Sequence, residues 1–86
     1  MTRETLALLD PCSSLPRGSE DRLEAVEAVC LAAMFRCDDD AVTFLWCAVT
    51  GLADLEYPRS TPLGKRVVAL SGHLAQYCQD AREANF

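Results

Sequence analysis

The sequence lacks the residue patterns that enzyme chemistry and metal binding require. Its single histidine, His73, has no aspartate, glutamate or cysteine at the spacing of a metal-ligand set. Nucleophilic catalysis needs a base beside the nucleophile and a third group that orients the base, and one isolated histidine cannot form such a set. Gly64 and Gly72 belong to no phosphate-binding loop. We therefore predict no catalytic, cofactor-binding or metal-ligating residues, and we expect that the protein is not an enzyme.

Long apolar runs are also absent. No stretch reaches the roughly 18 apolar residues that a membrane-spanning helix needs, and the longest candidate, residues 41–53, is interrupted by Thr43, Thr50 and Gly51. Residues 1–10 hold both acidic and basic side chains, and their short apolar run cannot form the core of a secretory signal. We expect a soluble, cytoplasmic protein that does not bind a membrane.

Basic residues are scarce. Lys and Arg number 8 against 13 Asp and Glu, which gives a formal net charge of −5 at pH 7. Nonspecific binding of nucleic acid depends on Lys and Arg side chains that neutralise phosphates, and an anionic membrane makes the same demand. The charge therefore argues against both partners and favours a basic or apolar protein partner, although acidity also commonly serves solubility.

The 5 cysteines follow no metal-binding or redox motif, because no Cys-x-x-Cys occurs. On one helix Cys30 and Cys37 would be separated by about 10.5 Å along the axis, which is beyond the reach of a disulfide. All except Cys12 fall in apolar periodic segments, where a cysteine packs as a small hydrophobe. We predict structural thiols; the alternative, redox sensing, requires exposed thiols of low pKa.

The chain is rich in apolar residues on few helices. Residues 28–35 and 44–49 form two apolar runs on either side of the three aspartates at 38–40. Each run is apolar around most of a helix circumference, and such a helix must be covered on several sides. Folding buries only roughly 60–65% of the surface of a chain this small. We therefore expect part of the apolar surface to be buried against another chain, in a homodimer.

Capping residues and apolar periodicity predict three helices and hence an all-α domain. Helix A begins at the N-cap Ser19 and keeps a helical apolar spacing through Leu23, Val26, Cys30, Ala33 and Cys37. The aspartates at 38–40 end helix A, and one of them caps helix B, residues 41–55. The short connection predicts an antiparallel hairpin of helices A and B. We expect residues 1–18 to be loosely structured and residues 19–86 to form a single helical domain.

Helix C starts at the N-cap Thr61, with Pro62 at the first helical position. Its apolar residues repeat at the a/d spacing of a heptad: Leu63, Val67, Leu70, Leu74, Tyr77 and Ala81. Two interpretations stay open, a bundle helix packed across the A–B hairpin or a seam that binds a second copy or a partner. Lys65 and Arg66 near the start of helix C, and Asp80 and Glu83 near its end, oppose its dipole. Helix energetics does not explain this placement; the charges of a partner could compensate it, although each charge contributes well under about 1 kcal/mol at an exposed site.

The candidate interface anchors are large apolar side chains on helices B and C, since buried residues of this kind at the centre of an interface carry most of its binding energy. They are Phe44, Trp46, Leu52, Leu70, Leu74 and Tyr77. The pattern does not divide them between self-association and partner binding. The leading interpretation is a protein-interaction module. The alternatives are a structural subunit or chaperone of a bacterial complex, and a thiol or small-ligand sensor.

Two segments carry a resemblance to a known family: Leu-Glu-Ala-Val-Glu-Ala-Val-Cys-Leu-Ala-Ala at 23–33 and Phe-Leu-Trp-Cys-Ala-Val at 44–49. In these segments, and in size and acidity, the chain resembles the QslA-like anti-activators, small helical quorum-sensing proteins of pseudomonads. The resemblance implies a dimeric helical protein that binds the ligand-binding domain of a LuxR-type transcription activator such as LasR. Such binding blocks dimerisation of the activator and therefore its binding to DNA, without any contact between this protein and DNA.

Overall fold

A computed structural model describes residues 14–84, and within this range the chain forms three α-helices and no strand. The helices are α1 (Glu20–Phe35), α2 (Asp39–Leu55) and α3 (Pro62–Ala84). The prediction of an all-α, three-helix domain is confirmed. Most of the segment expected to be loosely structured, residues 1–13, lies outside the described residues, while residues 14–18 form turns.

Each helix starts at a side chain that caps it. The caps are Ser19, Asp38 and Thr61, whose side-chain oxygens accept the backbone N–H three residues further on, at 3.2, 3.2 and 3.0 Å. These bonds satisfy N–H groups that have no partner within the helix. The predicted caps are confirmed, although α2 begins at Asp39, slightly before the start expected from its apolar pattern.

The end of α1 corrects one detail of helix A. Cys37 lies beyond the helix with a φ of +56°, in the left-handed region. Its N–H donates to the carbonyl of Met34 at 3.1 Å, and the N–H of Asp38 donates to the carbonyl of Ala33 at 3.1 Å. This pair of bonds is the Schellman pattern of a helix C-terminus. Cys37 therefore does not extend the apolar face of helix A, because the chain turns here to begin α2.

The three helices run up, down and up. Tyr57, just past α2, donates its hydroxyl to the backbone carbonyl of Ser19, just before α1, at 2.9 Å, so α1 and α2 are antiparallel, as predicted. Tyr77 of α3 donates to Asp39 Oδ1 at the start of α2, at 2.7 Å, so α2 and α3 are also antiparallel. The contact between α2 and α3 is the most extensive of the three. The loop between α1 and α2 is the shorter one, yet α2 forms its larger interface with α3.

One core lies between the three helices. Its fully buried members include Leu23 and Cys30 of α1, Leu45 of α2 and Leu74 of α3. Tyr57 is buried as well, and its hydrogen bond to the Ser19 carbonyl satisfies a hydroxyl that burial has removed from water. This core determines which face of each helix points inward and which residues remain for contact with another protein.

The packing of the 58–61 turn against α3 depends on Gly64. A Cβ at this position would lie 1.8 Å from the carbonyl oxygen of Pro58, so a larger residue does not fit without a shift of the backbone. Gly51 is different, because a Cβ there would meet no atom within 4 Å. Gly51 is therefore not required for a close crossing of helices.

Candidate protein-interaction surface

Two of the candidate anchors belong to the core of the single chain. Leu70 is 5% exposed and Leu74 is 0% exposed. Both side chains are covered by the chain's own helices, which accounts for the heptad spacing of α3 without a second chain. The packing thus supports the bundle-helix interpretation of helix C, and these two leucines offer almost no surface to a partner.

The other four anchors are half-buried and do not form one surface. Trp46 lines a shallow groove of about 370 Å³ with residues of α3: Ala75, Cys78, Gln79 and Arg82. The hydrogen bond from Tyr77 to the Asp39 carboxylate raises the pKa of Tyr77, because ionisation would break that bond and place two negative charges together.

Phe44 and Leu52 contact the edge of the core. Phe44 and Trp46 are about 200° apart around α2, so they cannot meet the same partner surface.

The most exposed large apolar side chains of the described residues include two on α1 that were not among the candidates. Phe35 is 91% exposed and Leu31 is 61% exposed. Together with the exposed Ala28 and Ala32 they occupy positions i, i+3, i+4 and i+7, which lie on one face of a helix. We call these four residues the α1 stripe. Its signal in the sequence was the run 28–35, which is apolar all around the helix.

The α1 stripe is exposed because α1 has two apolar faces and the fold covers only one. Leu23, Val26, Cys30 and Ala33 fill the core, and the stripe occupies the opposite side of the same helix. Only α2 and α3 are available within the described residues to cover α1, and both pack on the core side. A contiguous exposed apolar patch of this kind is typical of an interaction site.

A groove between α1 and α3 extends the α1 stripe. Its volume is about 370 Å³, and it is lined by Glu27, Leu31, Arg66, Ala69, Leu70 and His73. Leu31 belongs to both the groove and the stripe, so the two form one continuous surface. The groove combines a largely apolar floor with a charged rim, which suits the binding of a side chain from another protein.

Arg66 on the rim of this groove is neutralised by α1. Its guanidinium pairs with Glu27 and also lies 3.8 Å from Glu20 Oε2. The hydrogen bond to Glu27, reinforced by the nearby carboxylates, raises the pKa of Arg66. The conflict between Arg66 and the dipole of α3 is thus compensated by acidic residues of the same chain, so Arg66 does not indicate a partner.

Acidic residues stand at both ends of the α1 stripe. Asp21 and Glu24 are exposed and continue the spacing of the stripe toward the start of α1. At the other end, the three aspartates at 38–40 are exposed as well. Asp38 lies 3.8 Å from the exposed Arg36, a separation that gives only a weak ion pair. The apolar surface is therefore bounded by negative charge along the axis of the helix.

Glu56 holds the start of α1 against the end of α2. Its carboxylate accepts the backbone N–H of Gly18 at 3.0 Å and contacts Arg22 Nε at 2.8 Å and Arg17 Nε at 3.2 Å. Burial alone would raise the pKa of Glu56, but the Gly18 hydrogen bond and the two guanidinium groups outweigh it and lower the pKa. No motif in the sequence signals this clamp, because its members come from separate segments.

The cysteines of the described residues differ in exposure. Cys30 is buried in the core, Cys78 is half-buried, and Cys37 and Cys47 are exposed. The prediction of thiols packed as small hydrophobes is correct for Cys30 and wrong for Cys37 and Cys47. Cys12 lies outside the described residues.

In the part of the chain that the structure describes, no three side chains of the His, Cys, Asp and Glu types form a cluster that could hold a metal ion. The helices within residues 14–84 are also too short or too polar to cross a membrane. No family model, no curated protein and no solved structure matches the chain.

Proposed function

We propose that the protein is an interaction module that inhibits a LuxR-type transcription activator by covering the surface through which the activator dimerises. The observation that carries the proposal is the α1 stripe, with Leu31 at 61% and Phe35 at 91% exposure. Exposure of these side chains to water is unfavourable, so a surface of this kind is maintained for contact with another molecule. The choice of an activator as the partner comes from the resemblance to the quorum-sensing anti-activators.

The proposed mechanism is competition for apolar surface. An activator subunit that buries an apolar face against its twin could bury the same face against this protein, and an interface of about 1,600 Å² in total is the usual size for a stable complex. The activator would then remain unable to bind its two-fold DNA site. The net charge of −5 fits a mechanism in which this protein itself does not contact DNA.

The protein is further proposed to act as a homodimer in the cytoplasm. A second apolar face on α2 supports self-association, since Phe44, Ala48, Gly51 and Leu55 recur at spacings of 4, 3 and 4 residues. Leu55 is 81% exposed and the other three are half-buried. We call these four residues the α2 face. Two separate apolar faces suit a protein that binds both itself and a partner.

The experiment that tests the proposed function mixes the wild-type chain with the ligand-binding domain of a LuxR-type activator. Sedimentation velocity is expected to show the activator dimer replaced by a complex that contains both proteins. In a gel-shift assay, adding this protein is expected to release the full-length activator from its operator DNA. This protein alone is expected to shift no DNA. An activator that stays dimeric and DNA-bound at saturating concentrations of this protein would contradict the proposal.

A second candidate function, thiol sensing, is favoured by one observation: Cys37 and Cys47 present exposed thiols. A sensor thiol is exposed and reactive in the native state. The rate at which the folded protein reacts with a thiol reagent separates the two candidates. A rate no faster than that of a cysteine in an unstructured peptide would exclude thiol sensing, and of the two candidates only the interaction module would remain.

A further inference from the structure

We infer that the α1 stripe binds a helix of another protein that is apolar at its centre and basic at both ends, and that it does not bind a second copy of this chain. The inference rests on the proposed function only in that a protein partner exists. It adds the chemistry of that partner and the surface that receives it.

The shape of the surface fits a helix. The α1 stripe presents apolar side chains at the spacing of two helical turns, about 10.5 Å along the axis. The groove between α1 and α3 runs beside it and shares Leu31. An amphipathic helix docks on such a surface through its own residues at i, i+3, i+4 and i+7, with one side chain entering the groove.

The charges at the ends of the stripe determine what flanks the apolar centre of that helix. Asp21, Glu24 and Asp40 are exposed, and among residues 14–84 no ion pair engages any of the three. Arg66 attracts Glu24 only from a distance because it is paired with Glu27, and Arg36 lies beside Asp38. Lysine or arginine at both ends of the bound helix would meet complementary charge, which steers association and selects the partner.

The same charges disfavour a second copy. In an antiparallel pairing of two α1 helices centred between residues 31 and 32, Glu24 of one copy lies just beyond Phe35, the last helical residue of the other copy, beside the turn that leads to the exposed aspartates at 38–40. In a parallel pairing, Glu24 of one copy lies opposite Glu24 of the other. Both arrangements bring carboxylates together, and like charges placed against each other across an interface are unfavourable. Self-association is therefore assigned to a different surface, and the α1 stripe to a basic partner.

The test uses three synthetic helical peptides of about 20 residues, long enough to form a helix on binding. The first has Leu at i, i+3, i+4 and i+7 in its centre and Lys at both ends. The second has the same centre with Glu at both ends, and the third has the Lys ends with the central residues shuffled. Fluorescence anisotropy with the full chain is expected to show the first peptide binding at least about tenfold more tightly than either control. This advantage over the Glu peptide is expected to shrink as salt is raised.

Protein variants locate the surface. Leu31→Ser with Phe35→Ser is expected to weaken binding of the Lys-ended peptide at least about tenfold, since exposed anchors carry much of the binding energy. Leu55→Ser, which removes a leucine of 81% exposure on the α2 face, is the matched control and should leave the affinity unchanged. Glu24→Gln with Asp21→Asn should weaken the Lys-ended peptide selectively. Circular dichroism and thermal melts verify that each variant is folded.

Each contrary result overturns the inference. Equal binding of the Lys-ended and Glu-ended peptides would refute the charge preference, and unchanged binding by folded Leu31→Ser/Phe35→Ser would refute the surface. Conversion of a wild-type dimer to a monomer by that same variant, seen in sedimentation, would make the occupant a second copy. Failure of the proposed function gives a different result. In that case the LuxR-type activator would not bind this protein, while the Lys-ended peptide would still bind more tightly than the two control peptides.

Discussion

At the scale of single residues, the most unusual backbone position among the described residues is Cys37. It holds a left-handed φ of +56° at the point where the Schellman pattern ordinarily places glycine. A left-handed conformation costs a residue with a Cβ about 1–2 kcal/mol. The cysteine thus stands at a position that the local structure would fill better with glycine.

Replacing Cys37 with glycine is therefore expected to stabilise the protein. We expect Cys37→Gly to raise the free energy of unfolding by about 0.5–1 kcal/mol, since the relieved backbone strain exceeds the added chain entropy of the unfolded state. Urea denaturation measures the change. Gly18→Ala is the reciprocal control: Gly18 has a φ of +75°, and this substitution should cost a similar amount. A gain of the same size from Cys37→Ala would show that the thiol, and not the backbone, is responsible.

Glu56 is the residue whose charge contributes most clearly to the fold. Its side chain is 4% exposed and contacts two arginines. Glu56→Gln removes that charge and is expected to lower the free energy of unfolding by about 1–3 kcal/mol near pH 7. Asp54→Asn is the matched control, because Asp54 pairs with Arg59 at an exposed site where an ion pair contributes about 0–1 kcal/mol.

The contribution of Glu56 depends on pH with a definite sign. Its pKa is lower in the folded protein than in the unfolded chain, so its stabilisation is fully present above the unfolded pKa and is lost as the pH falls through the folded pKa. The difference in unfolding free energy between wild type and Glu56→Gln should therefore shrink from about pH 7 to about pH 3. A difference that stays constant over this range would mean that the carboxylate charge is not what stabilises the clamp.

At the scale of helices, glycine-to-alanine substitutions at two positions are expected to change the free energy of unfolding in opposite directions. Gly51→Ala in α2 should raise the free energy of unfolding by about 1 kcal/mol, because alanine is the better helix former and no atom lies within 4 Å of the new Cβ. Gly64→Ala in α3 should lower it by about 1–3 kcal/mol through overpacking, since the new Cβ would lie 1.8 Å from the Pro58 carbonyl.

Thermal denaturation of both glycine variants and of Gly72→Ala checks this expectation. A Cβ at Gly72 would likewise meet no atom within 4 Å, so its variant should behave like Gly51→Ala. Stabilisation by Gly64→Ala would show that the turn at Pro58 moves away from α3 without cost.

The element with the largest consequence for the proposed function is α1. Its first half carries acidic residues on the outer face, and its second half is apolar on both faces. Within residues 14–84, α2 and α3 cover only one side of α1, so the other apolar face of α1 is exposed among these residues. The proposed partner surface is a consequence of this shortage of covering elements and not of any special motif.

At the scale of the whole molecule, two apolar faces lie on a chain with a net charge of −5. The homodimer stays a prediction, and the α2 face with Leu55 is the surface that we assign to it. The acidic ends of the α1 stripe assign that surface to a basic partner. A net charge away from zero opposes aggregation of a chain that exposes apolar faces.

Much of the fold was predictable because it depends on short-range chemistry. Ser19, Asp38 and Thr61 cap helices through bonds to residues three positions away, so their roles can be inferred from the sequence. The interface anchors were harder to infer. Leu74 and Phe35 are both large apolar residues on helices, yet one is 0% exposed and the other 91% exposed.

The helices, their order and the surplus of apolar surface follow from the chain alone, because caps, breakers and composition act locally. Which surplus face points outward depends on how the helices pack together. A helix that is apolar all around has no periodicity to distinguish its two faces, so packing against α2 and α3 makes the choice. The Glu56 clamp and the Arg66 ion pairs likewise join residues far apart in the chain, and such contacts exist only once the helices have come together.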